Sequence, residues 1–199
     1  MSIRIAAESD LPQILEIYRP YVENTTYSFE YEAPTPETFR ARFLGITKQF
    51  PWLVWEESGG VLGYAYACAP FERAAYQWCA EPSIYLLPQA QGKGIGRKLY
   101  EVLEQILIAQ GYRLSYAIIT SENEASLAFH RAMGYKETAQ FPGCGYKFGR
   151  WLGVTWMEKT LLSVDTTMKE PIPFPIFVEN GRKFLVNLGI LSLSQIEKI

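Results

Sequence analysis

The sequence has 199 residues, 48% hydrophobic, 20% charged and 15% aromatic, and its 19 Lys and Arg against 21 Asp and Glu leave a net charge of −2. That length suits one domain, or one domain with an extension, and such apolar content excludes a disordered polar chain. The near-neutral balance excludes a basic nucleic-acid footprint and an acidic solvating tail.

In chain order, Ile3 to Ala6 read as a short strand. Ser9 or Asp10 caps a following helix with Pro12 near its first turn and Ile14, Leu15, Ile17 and Tyr18 on its apolar side. The segment Asn24-Thr25-Thr26-Tyr27-Ser28-Phe29-Glu30 is polar and β-branched, a loop or edge strand. Thr35-Pro36-Glu37 opens a second helix carrying Phe39, Phe43 and Ile46. Trp52 to Glu56, the turn Ser58-Gly59-Gly60, and Val61 to Ala69 form a hairpin. Trp78 to Leu87 is another strand, in which Pro82 predicts a bulge or an interruption. From Gly94 to Gln110 the pattern is helical, with Leu99, Val102, Leu103, Ile106 and Leu107 at core spacing and Gly111 as the stop. Leu114 to Thr120 is a buried strand, Asn123 to Met133 a helix ending at Gly134, and Tyr135 onwards, then Trp151 to Thr160, supply the last strands. The order β-α-α-β-β-β-α-β-α-β-β predicts an α+β fold with a mixed sheet.

After about Leu162 the composition changes. Pro171-Ile172-Pro173-Phe174-Pro175 reads as an extended arm, because proline lacks the backbone donor that a regular helix or central strand needs. An apolar-periodic segment from Lys183 to Ile199 follows. With Phe174, Phe177, Phe184 and Leu188 the arm is expected to pack on the domain or on a partner subunit. Residues 1–162 are therefore expected to form the domain, and 163–199 an extension without a core of its own.

The three cysteines, Cys68, Cys79 and Cys144, form no C-x-x-C pair, and there is a single histidine. No metal site is expected, and the sparse thiols fit a reducing compartment. The N-terminus lacks the apolar core of a signal peptide and no stretch reaches the length of a membrane span, so a cytoplasmic location is expected.

Gln91-Gly92-Lys93-Gly94-Ile95-Gly96 lies between a strand and a helix. The first amides of a helix are unpaired and sit at its positive end, and glycines let a phosphate approach them closely. A Walker loop, G-x-x-x-x-G-K-[ST], is absent. A dinucleotide fingerprint needs a third glycine three residues after Gly94 or Gly96, where Arg97 and Leu99 stand. The residues alone leave an anion-binding loop, with Lys93 and Arg97 adding charge, or a plain glycine turn.

Gln91-x-x-Gly94-x-Gly96, following Ile84-Tyr85-Leu86, resembles the pyrophosphate loop of the Gcn5-related N-acetyltransferases. Asn123, Ser126 and the run from His130 through Gly134-Tyr135 resemble the next helix and turn of that superfamily. Thr25 to Glu30, Pro51-Trp52-Leu53-Val54, Arg73-x-x-Tyr76-x-Trp78-x-x-Glu81 and Gly145-x-Lys147-x-Gly149-x-Trp151 are similar to the phosphinothricin and methionine sulfoximine acetyltransferases. The resemblance covers about residues 3–162. Gly153 departs from it, since relatives often carry Asp there.

The resemblance implies the three-layer acyl-CoA N-acyltransferase fold, with helices on both faces of a mostly antiparallel sheet splayed at the acetyl-CoA site. It implies direct acetyl transfer from acetyl-CoA to the α-amine of a small amino-acid analogue, without a metal, nucleic acid or membrane, by a homodimer. Glu81 would be the general base. His130 stands where many relatives carry a Tyr that protonates the departing thiolate, and would serve as that acid, orient substrate or support Glu81. Gly92, Lys93, Gly94, Ile95 and Gly96 would hold the pyrophosphate. Gln91, Tyr85, Asn123 and Ser126 would contact the rest of the cofactor, and the Leu86 N–H would face the thioester oxygen. Phe29, Glu30, Arg73, Tyr76, Ser83, Tyr85 and Lys147 would meet the amine substrate, Arg73 by pairing with its carboxylate or phosphinate and Lys147 as a point charge. The alternatives are an acetyltransferase for another amine (an amino acid, a peptide N-terminus or a polyamine) and a non-catalytic acetyl-CoA-binding module.

Overall fold

The computed structural model of the protein describes residues 2–163 and 169–191. Seven strands form one sheet: β1 (Ser2–Ile5), β2 (Trp52–Glu57), β3 (Gly60–Cys68), β4 (Cys79–Leu86), β5 (Leu114–Thr120), β6 (Lys136–Lys147) and β7 (Arg150–Thr160). Their spatial order is β1-β2-β3-β4-β5-β7-β6. Every neighbouring pair is antiparallel except β4 and β5, which run parallel. Among the described residues six α-helices join or follow them: α1 (Leu11–Asn24), α2 (Pro36–Thr47), α3 (Ile95–Gln110), α4 (Glu124–Ala132), α5 (Phe174–Asn180) and α6 (Arg182–Asn187).

The period of two along β2 divides the molecule into layers. Trp52 and Val54 pack with Ile14, Tyr18 and Val22 of α1 and with Phe39 and Phe43 of α2. Leu53 and Trp55, on the opposite face, pack with Leu99, Leu103 and Ile106 of α3. Farther along the sheet, Leu127 of α4 and Tyr100 of α3 close over Ala117 and Ile119 of β5 and Met157 of β7. Helices thus cover both faces, as expected. No helix among the described residues is long and apolar enough to cross a membrane.

Two expectations change. The register between β3 and β4 runs unbroken through Ala67 opposite Pro82, so Pro82 makes no bulge on that side. The interruption lies on the other edge: β4 pairs with β5 only at Cys79 and Ala80, although β4 continues to Leu86 and β5 to Thr120. The second change concerns the arm. Pro175 stands in the first turn of α5, where a missing N–H costs nothing, so Phe174–Asn180 is helical. Phe174, Phe177, Leu185 and Ile190 are buried in the same apolar cluster as Phe50, Leu107 and Tyr112. The arm is tied down by the Ile172 N–H on Gln110 O at 2.8 Å and by Gln110 Nε2 on Ile172 O at 2.7 Å. The expected apolar segment runs to 199, and its part beyond 191 lies outside the described residues.

Candidate active site

Backbone direction along β4 decides what the separation of β4 from β5 exposes. The Leu87 N–H bonds to Leu62 O at 2.9 Å. In an antiparallel ladder such pairs recur every second residue, so Tyr85, Ser83 and Glu81 turn their backbone groups toward β3. Pro82, Ile84 and Leu86 turn theirs the other way, toward the gap. Pro82 is the first residue past the last β4–β5 pair whose backbone faces the gap, where a donor would have no strand to meet.

The gap widens into a cleft of about 580 Å³. Of the expected cofactor residues, Tyr85, Leu86, Gln91, Gly92, Gly94, Gly96, Asn123 and Ser126 line it, and so do Ser83 and His130. Gly92 and Gly94 have φ of +71° and +78°, which favours glycine, and Gly94 is the N-cap of α3. Gly96 lets α3 approach β4, since a Cβ there would sit 3.4 Å from the Ile84 and Leu86 side chains. The unpaired amides at the start of α3, with Arg97 on the rim, make this end an anion cradle. Asn123 Oδ1 accepts the Ser126 N–H at 3.1 Å and caps α4, leaving its NH2 group as the part able to reach a ligand. Lys93 is exposed outside the lining, and Ile95 is buried in the core beneath it.

Glu81 follows the last β4–β5 pair, and Cys68 is its cross-strand neighbour. Burial pushes its carboxyl from 4.5 up to about 7. His130, 4% exposed, shows the opposite consequence of burial: its pKa falls from 6.5 to about 4. Its Nδ1 lies 2.8 Å from Ser126 O, which can only accept, so Nδ1 carries the proton. Nε2 then accepts the Tyr100 hydroxyl at 2.7 Å. The imidazole is neutral near pH 7, and its one N–H is committed to a backbone carbonyl.

The Leu86 N–H, expected at a thioester oxygen, points to Tyr21 Oη at 3.3 Å, and that hydroxyl donates to Leu86 O at 2.6 Å. Gln91 Nε2 donates to the same hydroxyl at 3.2 Å. Tyr21 and Tyr100 were absent from the sequence-based set. Tyr21 extends the α1 stripe of Ile14, Ile17 and Tyr18 by one step, and that continuation was the available signal.

The expected substrate residues divide into four groups. Tyr85 packs edge-on to Tyr18 and Tyr21, with centroids 4.9 and 5.1 Å apart. Phe29 and Glu30 lie on the α1–α2 loop. Phe29 covers Gly145 of β6, and Glu30 pairs with Arg42 and accepts the Tyr18 hydroxyl at 3.0 Å. Arg73 and Tyr76 stand apart, on a smaller cleft of about 330 Å³ shared with Glu170 and Pro171 of the arm. Lys147, expected to meet substrate as a point charge, instead spends all three of its N–H donors on backbone carbonyls, at Val22, Thr25 and Ser28. No group of side chains suited to a metal ion occurs among the described residues.

A family model described as an acetyltransferase (GNAT) domain matches residues 3–156. A phosphinothricin N-acetyltransferase of Alcaligenes faecalis is 37% identical over 171 residues, covering 85% of this chain and 87% of its own. An L-methionine sulfoximine/L-methionine sulfone acetyltransferase of Pseudomonas aeruginosa is 38% identical over 175 residues, covering 85% and 98%. Among solved structures, a GNAT superfamily phosphinothricin acetyltransferase of Sinorhizobium meliloti in complex with AcCoA superimposes with a TM-score of 0.82 at 37% identity, covering 88% of this chain and 97% of that one. Overall fold and sequence agree, and the chain belongs to the GNAT acetyltransferases, in the group of the phosphinothricin and methionine sulfoximine enzymes.

Proposed function

We propose that this acetyltransferase moves the acetyl group of acetyl-CoA directly to the α-amine of a small amino-acid analogue of the phosphinothricin, methionine sulfoximine or methionine sulfone type, with Glu81 as general base. The observation that carries the reading is a carboxyl raised to about 7 at the point where β4 parts from β5. A base with that pKa is half ionised near neutral pH and takes a proton from an ammonium group without being held permanently as an anion.

Acetyl-CoA supplies the activated acyl thioester. The α3 amides and Gly92, Gly94 and Gly96 hold its pyrophosphate, and the NH2 of Asn123 serves its amide groups. Ile84 turns its N–H into the gap beyond the last β4–β5 pair and is the donor for the thioester oxygen, while Tyr21 engages Leu86. Glu81 receives the ammonium proton, the amine nitrogen bonds to the acyl carbon, and the carbon–sulfur bond breaks with its electron pair on sulfur, the thiolate of CoA taking up the second proton that the nitrogen sheds and leaving as the thiol. His130, neutral and bonded at both nitrogens, orients Tyr100 and α4. Direct transfer is supported by the cysteines: burial pushes Cys68 up to about 12 and also raises Cys79, so neither is a thiolate near pH 7, and the exposed Cys144 is not in the cleft lining. A homodimer accompanies the reading, supported by the exposed aromatic side chains Tyr146, Phe148 and Trp151 around the β6–β7 turn; light scattering measures it.

The test is thiol release from acetyl-CoA across a panel of amines. Turnover is expected on the three analogues and not on polyamines. Acetyl-CoA binding without turnover on any amino-acid analogue overturns the proposal.

A further inference from the structure

We propose that Lys147 is a positioning residue for the amine acceptor, a tethered cation that clamps the segment 22–31 onto the end of β6. The proposal rests on the acetyltransferase reading, in which the amine lies on the Glu81 face of β4 beneath that segment.

Lys147 is 1% exposed, although lysine is rarely buried without a carboxylate partner. Its Nζ donates to Val22 O at 2.6 Å, Thr25 O at 2.9 Å and Ser28 O at 2.7 Å. An ammonium has three hydrogens, and each meets one carbonyl. Val22 lies in the last turn of α1, whose carbonyls lack helical partners and form the negative end of the helix dipole. The clamp thus caps α1 and folds the following loop in one step. With no donor left over, Lys147 contacts no substrate.

The two residues before it hold the same segment. Tyr146 O accepts the Tyr31 hydroxyl at 2.7 Å. A Cβ at Gly145 would fall 2.1 Å from the Phe29 ring, so that ring lies directly on the glycine. Three successive residues of β6 therefore each fasten a different part of the loop. What they fasten leads back to the reacting face. Ser28 Oγ lies 2.8 Å from Tyr18 Oη, and the Tyr18 ring packs against Tyr85, which shares its face of β4 with Ser83 and Glu81. The glycine cradle at the start of α3 lies on a separate element, and of the clamped segment Tyr27 alone lines the cofactor cleft, so loosening the clamp should affect the amine far more than the cofactor.

Lys147→Met keeps the length of the side chain and removes the ammonium. The expected result is a KM for the amine raised about tenfold or more, with kcat lowered far less and the acetyl-CoA dissociation constant unchanged. A general loss of structure would instead weaken both ligands together. Because Lys147→Met leaves three carbonyls unpaired and can fail to fold, Tyr31→Phe provides the second measurement. It removes one exposed fastening and should raise the amine KM about threefold with acetyl-CoA binding unchanged. A wild-type protein that turns over amines while neither substitution moves KM overturns the clamp alone. A wild-type protein that binds acetyl-CoA and turns over no amine overturns the acetyltransferase reading, and the clamp with it.

Discussion

Glu81→Gln separates the charge of the carboxylate from its shape. Burial raises this group from 4.5 to about 7, and at about 1.4 kcal/mol per tenfold change that is about 3 kcal/mol against the anion. Between those two values the folded chain holds a proton that the unfolded chain has released, so stability falls as pH rises through the window. Above about pH 7 the full cost is present, and a neutral Gln does not carry it. The variant should therefore be more stable than wild type at about pH 8, by up to about 3 kcal/mol, with each kcal/mol raising Tm by about 2–4 °C. At about pH 4 the two should melt together, because both side chains are then neutral. Activity should move in the opposite direction, falling about 10²–10⁴-fold near neutral pH. The wild-type limb of kcat/KM near pH 7 should vanish. Ionisation of the free amine is common to both enzymes, so the difference between their profiles is the readout. Thiol-release kinetics against pH, with melts at the two pH values, measure all of this. Retained activity with an unchanged profile, or lost stability at about pH 8 alongside lost activity, would refute the reasoning.

His130 has the opposite linkage: its pKa falls from 6.5 to about 4, so its contribution to stability is lost as pH drops through that window. Glu81 stabilises over much of the same range as it takes up a proton, so the two slopes should nearly cancel in wild type. In His130→Gln, stability should rise as pH falls from about 7 to 5, and a flat urea-melt series for that variant would contradict the assignment. Gly63→Ala places a Cβ 2.2 Å from Leu86 Cδ2 and 3.0 Å from Tyr85 O, pushing on β4 where it borders the cleft. It should cost about 1–3 kcal/mol and weaken acetyl-CoA binding, as denaturant melts and calorimetry would show. Leu185→Ala, fully buried in α6, should cost about 2–5 kcal/mol, whereas Trp151→Ala, at a residue 70% exposed, should stay within about 0.5 kcal/mol in the isolated chain. Equal melting temperatures for these two variants would mean that the arm does not share the core.

What was legible in the sequence follows from how local each physical demand is. Gly92 and Gly94 announce themselves because a positive φ is a property of single residues. The hairpin from Trp52 to Cys68 is equally readable, since alternation and the two-residue turn Ser58-Gly59 specify it within one short window. Pro82 marked an irregularity but could not say on which edge, because that depends on where β5 runs. Lys147 shows the deepest limit: a lysine among aromatic residues reads as a free charge, and only the return of a loop more than a hundred positions earlier shows that its donors are taken. Arg73 and Tyr76 were grouped with the other substrate residues by resemblance, whereas the chain places them against the arm. The helix at Phe174 was hidden by its own prolines, which forbid a helix interior and favour a first turn.

The seating of α5 and α6 bears on how the chain is made. Both helices cover the cluster that also holds Phe50, Leu107 and Tyr112. A ribosome delivers that cluster's sheet and α3 before residues 174–190 emerge, so the nascent domain carries an uncovered apolar patch until they follow. Such surfaces are where incomplete chains associate with one another. Residues 174–190 therefore act as an intramolecular guard, and a chain cut before them would expose that cluster even where every residue of the cleft is present.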